Sequence, residues 1–381
     1  MSESKFLKQD RLYMAEALKL AKCGLYTTYP NPAVGCVFVR NGKIIGRGYH
    51  HKAGQPHAEI MALNDAKNDV KGATCYVTLE PCSHYGRTPP CANRLVEAGI
   101  SRCVIATGDP NPKVHGRGIE ILKQASIEVS YPLLEDKARF INRAFLKSIT
   151  QNIPYVSLKI GMSSDAKTAL ANGQSKWITC DKSRRQVQKL RAMCDVIITG
   201  SSTVISDNPL LSVRYDELPK NTRKILAKED VRQPLKVILD TRENLVCENF
   251  KIFSQGKVLW VVGAQDNRSS EQALNEHVTK LSLPIAADGH IDLNKLLAYL
   301  GSKNYRHALV EAGSILSSAF INADLVDDVY LFIAPKLLGM NSRNAVNITE
   351  PQALDDCLKY KIVKAKRCGE DIFVHGLIKE Y

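Results

Sequence analysis

The sequence predicts an α/β protein built from two domains. Segments with strand character alternate with segments of helical spacing, which is typical of sheets covered by helices. At 381 residues the chain is also too long for one typical hydrophobic core. A predicted helix over about 135–150 is followed by Pro154, after which a new alternation begins. We therefore expect one domain over residues 1–151 and a second over 152–381.

The first domain is expected to start with a helix over about 10–22, where apolar residues recur at helical spacing. Two apolar runs, 33–39 and 44–49, flank Asn41-Gly42, a pair that favours a hairpin turn. Further helices are expected at about 57–66, 91–98, 118–125 and 135–150, and further strands at 73–79, 103–107 and 127–131.

The second domain repeats the alternation of strands and helices. Residues 214–234 are polar and charged, and they predict a long excursion between two elements. Strands are expected at 155–162, 195–200, 235–240, 258–263, 308–311 and 329–334, and helices at about 183–193, 271–280, 293–300 and 314–322.

Composition favours an ordinary globular protein, because 44% of the residues are hydrophobic and 24% are charged. No apolar run approaches the length of a membrane span, so we expect no membrane partner. The first residues lack the apolar core of a signal peptide. Eleven scattered cysteines, an odd number, favour a reducing compartment. A cytoplasmic protein is expected.

The net charge of +13 raises the question of a nucleic-acid partner. The charge is spread, with +8 in residues 1–152 and +5 in the remainder. No dense basic block with interleaved aromatic residues occurs. Spread positive charge suits an anionic small substrate through electrostatic steering. We therefore expect a small phosphorylated substrate and no nucleic acid.

A metal-ligand pattern stands in the first domain: His57, then Cys82 and Cys91. One imidazole and two thiolates suit tetrahedral Zn²⁺ and leave its fourth position to water. Zinc lowers the pKa of bound water, so a hydroxide nucleophile exists near neutral pH. Glu59 stands where it can move protons without binding the metal. This order of residues is the signature of zinc nucleobase deaminases, and it predicts the removal of ammonia from a heterocycle.

The predicted elements bring these residues together. His57 and Glu59 fall in the first turn of one helix, Cys82 follows a strand, and Cys91 opens the next helix. Because a helix N-terminus carries positive partial charge, we expect the thiolate to be favoured over the thiol at Cys91.

The segment between the two cysteines has eight residues, Ser83 to Pro90, where nucleic-acid deaminases of the generic pattern have two. The run from Pro81 to Cys91 resembles the zinc loop of the bifunctional riboflavin-biosynthesis deaminase–reductase family, RibD. The segments Pro30-Asn31-Pro32-Ala33-Val34-Gly35 and His50 to Glu59 are similar to two further motifs of that family. The resemblance covers essentially the whole chain.

For the first domain, the resemblance implies a cytidine-deaminase-like three-layer fold. Its substrate would be a diamino-pyrimidinone that carries a phosphoribosylamino group, and its product the corresponding uracil. Glu59 would be the catalytic proton carrier, and Asn31 and His50 would line the pyrimidine pocket. His84 and Arg87 would hold the base or the phosphate, with bracing of the loop as the alternative.

For the second domain, the resemblance implies a dihydrofolate-reductase-like α/β fold that uses NADPH to reduce the ribosyl group. No glycine-rich dinucleotide fingerprint occurs there. Segments that start at Lys159, Gly173 and Thr199 are similar to family motifs, and Glu311-Ala312-Gly313 opens a strand-to-helix turn. Helix N–H groups after Gly313 would seat the pyrophosphate.

The resemblance also implies site residues in the second domain. The cofactor-binding positions are Gly161, Trp177, Thr203, Asp207, Gly313, Ser314, Ile315, Leu316, Ser317, Ser318 and Ala319. Thr241 is a further cofactor-binding candidate, from its place after the strand expected at 235–240. The substrate-binding positions are Lys159, Ser175, Arg191, Leu211, Arg214 and Glu311. Arg191 and Arg214 suit phosphate, because guanidinium binds it bidentately. Thr241 and Arg242 are candidates for reading the 2′-phosphate.

Structural alternatives stand beside these assignments. Trp177 could belong to the core, Asp207 could cap a helix, and Arg191 could pair with an acid on its own helix. The family has glycine where this chain has Ala166, so the turn there could differ.

Two other functions stay open from sequence alone. One is a nucleic-acid deaminase with an RNA-binding second domain. The other is a zinc-stabilised scaffold in which His84 closes the metal site. The resemblance also leaves a homo-oligomer open.

Overall fold

The computed structural model describes residues 6–83, 89–112, 114–264 and 268–381. Contacts between residues divide the chain into two compact units. The first contains residues 1–151 together with Tyr381, and the second contains 152–380. Each unit has its own sheet and its own hydrophobic core.

The first unit is built on a mixed sheet whose five strands, among the described residues, lie in the order β2-β1-β3-β4-β5. The first hairpin and the β1–β3 pair are antiparallel, and β3, β4 and β5 are parallel. The strands are β1 Gly35–Arg40, β2 Lys43–Tyr49, β3 Thr74–Val77, β4 Arg102–Ile105 and β5 Glu128–Ser130. The helices are α1 Lys8–Ala21, α2 Ala58–Asp65, α3 Cys91–Glu97, α4 Arg117–Gln124, α5 Glu135–Ile141 and α6 Arg143–Gln151.

Alternate residues of the strands face two different helix layers. Cys36 and Phe38 of β1 belong to the core cluster that includes residues of α2, α3 and α4. Val37 and Val39 belong to the cluster that includes residues of α1 and α5. Because side chains alternate along a strand, one sheet can bury both faces. The predicted three-layer deaminase fold is confirmed.

Two local predictions in this unit have clear outcomes. The hairpin turn is confirmed, since Asn41 and Gly42 both have positive φ, 52° and 74°. The single helix expected over 135–150 is wrong, because it divides at Asn142 into α5 and α6. The Asn142 side chain accepts a hydrogen bond from the Ala33 N–H at 2.8 Å and donates to the Ala33 carbonyl at 3.0 Å. These hydrogen bonds hold Asn142 to the segment before β1, and the helical spacing of apolar residues in the sequence does not reveal them.

The second unit is built on a sheet of ten strands in its described part, in the order β11-β12-β10-β9-β8-β13-β6-β14-β17-β16. The strands from β12 to β14 in this order are parallel, and β11, β17 and β16 are antiparallel additions at the edges. Its strands up to β12 are β6 Tyr155–Ser163, β7 Lys167–Ala169, β8 Val196–Gly200, β9 Leu235–Leu239, β10 Val258–Gly263, β11 Ser270–Ala273 and β12 Val278–Leu283. The remaining strands are β13 His307–Val310, β14 Asp328–Ala334, β15 Arg343–Asn344, β16 Lys361–Cys368 and β17 Asp371–Leu377. Of these strands, β7 and β15 lie outside the ten-stranded sheet and pair with each other.

Helices cover this second sheet. They are α7 Asp181–Met193, α8 Ser201–Asp207, α9 Lys220–Arg223, α10 Leu293–Ser302 and α11 Ser314–Asn322. Val196 and Ile198 of β8 belong to one core cluster and Ile197 to the other, so both faces of the sheet are buried. The excursion at 214–234 contains α9 and short 3₁₀ turns. Within the described ranges, no helix is long and apolar enough to cross a membrane.

Two sequence predictions in this unit fail. The helix expected over 271–280 is wrong, because β11 ends at Ala273 and β12 begins at Val278, with a short connection between them. There Val278, Leu281 and Leu283 are buried, and pairing with β10 decides the outcome. The hairpin of β16 and β17 was not expected. Lysines and an arginine interrupt the apolar pattern of β16, as is common for an edge strand that faces solvent.

Candidate active sites

The fold brings His57, Cys82 and Cys91 together in the first unit. His57 is the N-cap residue of α2, and Cys91 is the first residue of α3. The Nδ1 atom of His57 lies 3.6 Å from the Sγ atom of Cys82 and 3.4 Å from that of Cys91. All three ligand atoms lie within 4.8 Å of one another. This donor set and spacing fit a tetrahedral zinc ion with one open position.

The two thiols differ in their electrostatics. Hydrogen bonds from Cys91 and His57 lower the pKa of Cys82 to about 4. The same contact, together with burial, raises the pKa of Cys91. Hydrogen bonding between the two thiols thus favours the thiolate at Cys82. The thiolate expected at Cys91 stays a prediction.

Glu59 lies beside these three side chains, in the first turn of α2. It is only 3% exposed. Burial and the nearby charge of Cys82 raise its pKa to about 7. A carboxyl group with this pKa exchanges a proton readily near neutral pH, as a general acid–base requires.

Asn31 and His50 meet next to the metal-ligand cluster. The ring of His50 lies edge-on to that of His57, with the ring centres 5.2 Å apart. Nδ1 of His50 lies 3.1 Å from the Pro56 carbonyl, to which it donates, so Nε2 accepts from the Asn31 amide at 3.0 Å. Burial lowers the pKa of His50, which favours the neutral ring. His84 and Arg87 lie outside the described residues.

A cleft of about 1440 Å³ lies in the second unit. The ends of β8 and β9 and the residue after β13 line it, as ligand sites of parallel sheets generally do. Almost every position that the resemblance implied lines this cleft: Lys159, Gly161, Ser175, Trp177, Arg191, Thr203, Asp207, Leu211, Arg214, Thr241, Glu311, Gly313, Ser314, Ile315, Leu316, Ser317 and Ala319.

Ser318 is the exception among the implied positions. It is buried, and its hydroxyl donates to the Ser314 carbonyl at 2.6 Å and accepts from the Asn347 N–H at 2.7 Å. Its side chain therefore links α11 to the backbone at Asn347 and does not line the cleft. The cofactor-binding prediction for Ser318 is not supported. Sequence reasoning also missed polar residues that line the cleft, among them Asp240, Asn244, Asp288 and His290.

Glu311 forms the charged centre of the cleft. Its carboxylate accepts from Arg191 at 2.6 and 3.1 Å and pairs with the Lys159 ammonium at 3.2 Å. Arg191 and Lys159 lower the pKa of Glu311 to about 2, against the effect of burial. The acid partner of Arg191 thus comes from the end of β13, and not from its own helix. Arg214 is more exposed and pairs with Glu217.

The start of α11 lies at another part of the cleft. The Gly313 N–H donates to the Thr203 hydroxyl at 3.2 Å. Trp177 is 65% exposed and stacks with the guanidinium of Arg184 at 4.5 Å, so it does not belong to the core. Asp207 ends α8 and accepts from the Ser175 hydroxyl at 3.4 Å.

Leu211, which lines the cleft, and Ala166, which does not, have backbone conformations that L-residues rarely adopt. Leu211 has φ of 51°. Ala166 has φ of 56°, so the turn keeps the conformation that suits glycine. Asp165, just before it, accepts hydrogen bonds from the N–H groups of Leu338 and Gly339 at 3.0 and 2.8 Å. This tie holds the turn in place despite the alanine.

The fold and the two sites define a two-domain enzyme, a zinc-binding deaminase joined to a nicotinamide-dependent reductase. The family model for the cytidine and deoxycytidylate deaminase zinc-binding region matches residues 7–107, and that for the RibD C-terminal domain matches residues 154–374. The chain belongs to the RibD family of bifunctional enzymes of riboflavin biosynthesis.

Relatives support this assignment along the whole chain. Riboflavin biosynthesis protein RibD of Escherichia coli is 44% identical over 367 residues, which cover 96% of this chain and 99% of the relative. The protein of the same name from Aquifex aeolicus is 38% identical and covers 96% of this chain and 97% of its own length.

Solved structures agree with both units. Acinetobacter baumannii RibD matches with a TM-score of 0.86 at 41% identity, covering 98% of this chain and 99% of that chain. A Thermotoga maritima protein matches with a TM-score of 0.84 at 33% identity, covering 97% and 98%. The latter is described as a diaminohydroxyphosphoribosylaminopyrimidine deaminase/5-amino-6-(5-phosphoribosylamino)uracil reductase. The predicted dihydrofolate-reductase-like second domain accords with these matches.

Proposed function

We propose that this enzyme deaminates 2,5-diamino-6-(5-phosphoribosylamino)pyrimidin-4-one and then uses NADPH to reduce the ribosyl group of the product to a ribityl chain. The observation that carries the first step is the convergence of His57, Cys82 and Cys91 beside the buried carboxyl group of Glu59. The description of the Thermotoga maritima relative supports the choice of substrate.

In the deaminase site, His57, Cys82 and Cys91 would hold Zn²⁺. The ion supplies an activated water as the nucleophile when it is bound. Glu59 would carry one proton from the attacking water to the ring nitrogen, and then a second proton, from the hydroxyl group added to the ring, to the departing ammonia. Its pKa of about 7 supports both transfers. Asn31 and His50 bind the polar edge of the pyrimidine, where the neutral ring of His50 is held in one tautomer.

In the reductase site, the nicotinamide cofactor brings the hydride, and the protein supplies position and charge. Lys159 and Arg191 pair with Glu311 and line the cleft, where they would face an anionic, hydroxyl-rich substrate. We assign Lys159 to the ribosyl group and Arg214 to the phosphate. Ser175 and Leu211 complete the substrate side of the cleft.

The cofactor is assigned to the part of the cleft formed by α8 and α11. Gly313, Ser314, Ile315, Leu316, Ser317 and Ala319 form the first turns of α11 and its cap, where free N–H groups suit a pyrophosphate. Gly161, Trp177, Thr203 and Asp207 line the same cleft. Thr241 and Arg242 follow β9 and line it too, and we assign them to the 2′-phosphate that distinguishes NADPH from NADH.

A cytoplasmic location and the lack of a nucleic-acid partner stay predictions from composition.

Product mass analysis tests the proposed function. The zinc-loaded protein is given the diamino-pyrimidinone phosphate alone, with NADPH, or with NADH. We expect deamination without any cofactor, and a further gain of two hydrogens with NADPH but much less with NADH. Deamination alone in all three reactions would contradict the reductase assignment, and equal reduction with NADH would contradict the role given to Thr241 and Arg242. An unchanged mass would contradict both steps.

A further inference from the structure

A buried carboxylate, that of Glu80, lies in the chain just before the ligand Cys82. Glu80 is 5% exposed and follows the end of β3, and only Pro81 separates it from Cys82. Its backbone N–H donates to the Thr107 carbonyl at 3.0 Å, which continues the pairing between β3 and β4. Neither the motif nor the proposed mechanism assigns this side chain a task.

The carboxylate of Glu80 accepts hydrogen bonds from four backbone N–H groups of one segment. Its Oε2 atom accepts from Asp109 at 3.3 Å and from Gly116 at 3.0 Å. Its Oε1 atom accepts from Gly118 at 3.0 Å and from Ile119 at 3.4 Å. A buried charge is costly unless it is hydrogen-bonded, and here both oxygens are occupied. The side chain therefore ties the end of β3 to the start of α4.

Close packing reinforces this tie. Gly118 lies so near the Pro81 carbonyl that an added Cβ would come within 2.0 Å of that oxygen. Pro81 therefore cannot move closer to α4, and the hydrogen bonds of Glu80 oppose movement away from it.

Cys82 is held from its other side as well. Its Sγ atom accepts from the Cys91 N–H at 3.2 Å, and its carbonyl accepts from the Ala92 N–H at 3.2 Å. Cys82 therefore stands between the start of α3, which it contacts directly, and the start of α4, to which Glu80 connects it.

We propose that Glu80 is a positioning residue for the metal centre: by clamping the backbone before Cys82 to the start of α4, it keeps the Cys82 thiolate within bonding reach of the ion held by His57 and Cys91. This proposal rests on the metal ligands assigned under the proposed function. Groups that orient metal ligands typically contribute 10- to 100-fold to metal affinity.

Glu80→Gln is the direct test. The amide keeps the shape of the side chain but replaces one acceptor by an NH₂ group. Each oxygen of Glu80 accepts from two backbone N–H groups. Whichever oxygen the NH₂ group replaces, two of these N–H groups would then face a donor instead of an acceptor. We expect the two hydrogen bonds on the side of the NH₂ group to be lost, while the core of the sheet stays folded.

The full-length protein is loaded with Co²⁺, whose thiolate charge-transfer absorption reports the Cys82 and Cys91 bonds, and release is followed after addition of a chelator. We expect release from Glu80→Gln to be roughly 10- to 100-fold faster, with a weakened thiolate band. Reduction of the pre-deaminated uracil substrate should be unchanged. Glu120→Gln, an exposed change on α4, should match the wild type in both measurements.

Gly118→Ala provides a second variant that leaves the Glu80 carboxylate in place but crowds Pro81. This variant should also speed Co²⁺ release. If the amides of β3 and β4 in Glu80→Gln are no longer protected from hydrogen exchange, Gly118→Ala becomes the variant that tests the proposal. The proposal would be overturned if Glu80→Gln released Co²⁺ at the wild-type rate with an unchanged thiolate band. If only Gly118→Ala folds, the same result in that variant would overturn it. A wild-type protein that takes up no thiolate-bound Co²⁺ would instead contradict the metal ligands themselves.

Discussion

The two catalytic units differ in how closely their functional groups lie together. In the deaminase site, three ligand atoms lie within 4.8 Å of one another and the proton carrier Glu59 is buried beside them. The reductase cleft measures about 1440 Å³ and its polar groups are spread around a large cofactor-sized space. Where a metal ion supplies the charge, few groups suffice if they are rigidly placed. Where a large cofactor brings the hydride, the protein contributes surface and a balanced charge network.

The largest effect is expected for a variant that loses deamination but keeps reduction. Glu59→Gln keeps the shape of the side chain but removes its proton exchange, so deamination should fall by roughly 10²- to 10⁴-fold. Reduction of the pre-deaminated uracil substrate should continue at the wild-type rate, as measured by NADPH oxidation. A loss of both activities would show that the two sites are not independent.

The charged centre of the reductase cleft should govern the stability of its unit. Glu311→Gln leaves Arg191 and Lys159 without their counter-charge, so the free energy of unfolding of the second unit should fall by about 3 kcal/mol. Hydrogen exchange of the β13 amides would measure this. Glu217→Gln, which removes a half-exposed pair with Arg214, should cost less than about 1 kcal/mol. Equal costs for the two variants would contradict the central role of Glu311.

The same carboxylate predicts a pH dependence. The pKa of Glu311 is lowered from 4.5 to about 2 in the folded protein, so its stabilising contribution is present above pH 4.5 and is lost as the pH falls toward 2. The wild-type second unit should therefore lose stability over this window, and Glu311→Gln should lose less. Parallel acid profiles for the two proteins would argue against this assignment.

A smaller effect is expected for Arg214, the exposed guanidinium assigned to the substrate phosphate. Arg214→Ala should raise the KM for the uracil substrate about 10-fold, since one charge-assisted contact is lost, and leave the Kd for NADPH unchanged. Lys228→Ala removes an exposed cation from the same excursion and should change neither constant. An unaltered KM in Arg214→Ala would reject the phosphate contact.

The smallest effect concerns backbone strain in the reductase unit. Ala166 has φ of 56°, where glycine meets no steric penalty. Ala166→Gly should raise the free energy of unfolding by about 0.5–1 kcal/mol, seen as a higher urea midpoint at unchanged slope. Ala227 has an ordinary φ of −71°, so Ala227→Gly should lower that midpoint. A destabilised Ala166→Gly protein would show that the strain is relieved elsewhere.

The same contrast explains what the sequence could predict. The deaminase ligands fall within one short stretch, and each sits at a helix start or strand end that local patterns indicate. Their convergence therefore followed from spacing and residue chemistry. The contacts of Glu80 could not be foreseen, because its partners are backbone N–H groups that leave no mark on residue type.

The reductase residues extend from Lys159 to Ala319, and no local motif links them. Only the joint order of segments shared with a family pointed to them, and the pairing of Arg191 with Glu311 depends on how β13 and α7 pack. Ser318 shows the limit of that approach, since a residue inside a matching segment can point away from the cleft. Strand pairing likewise overrode the helical spacing of residues 271–280.

The central claim is that the two sites carry out successive steps and can work separately. A mixture of two variants tests it most directly: Glu59→Gln, which should only reduce, and Lys159→Met, which should only deaminate, each first shown to stop at its own step. Given the diamino-pyrimidinone phosphate and NADPH, the mixture should form the deaminated and reduced product, detected by mass, through intermediate released into solution. No such product from the mixture, under conditions where the wild type forms it, would contradict the claim.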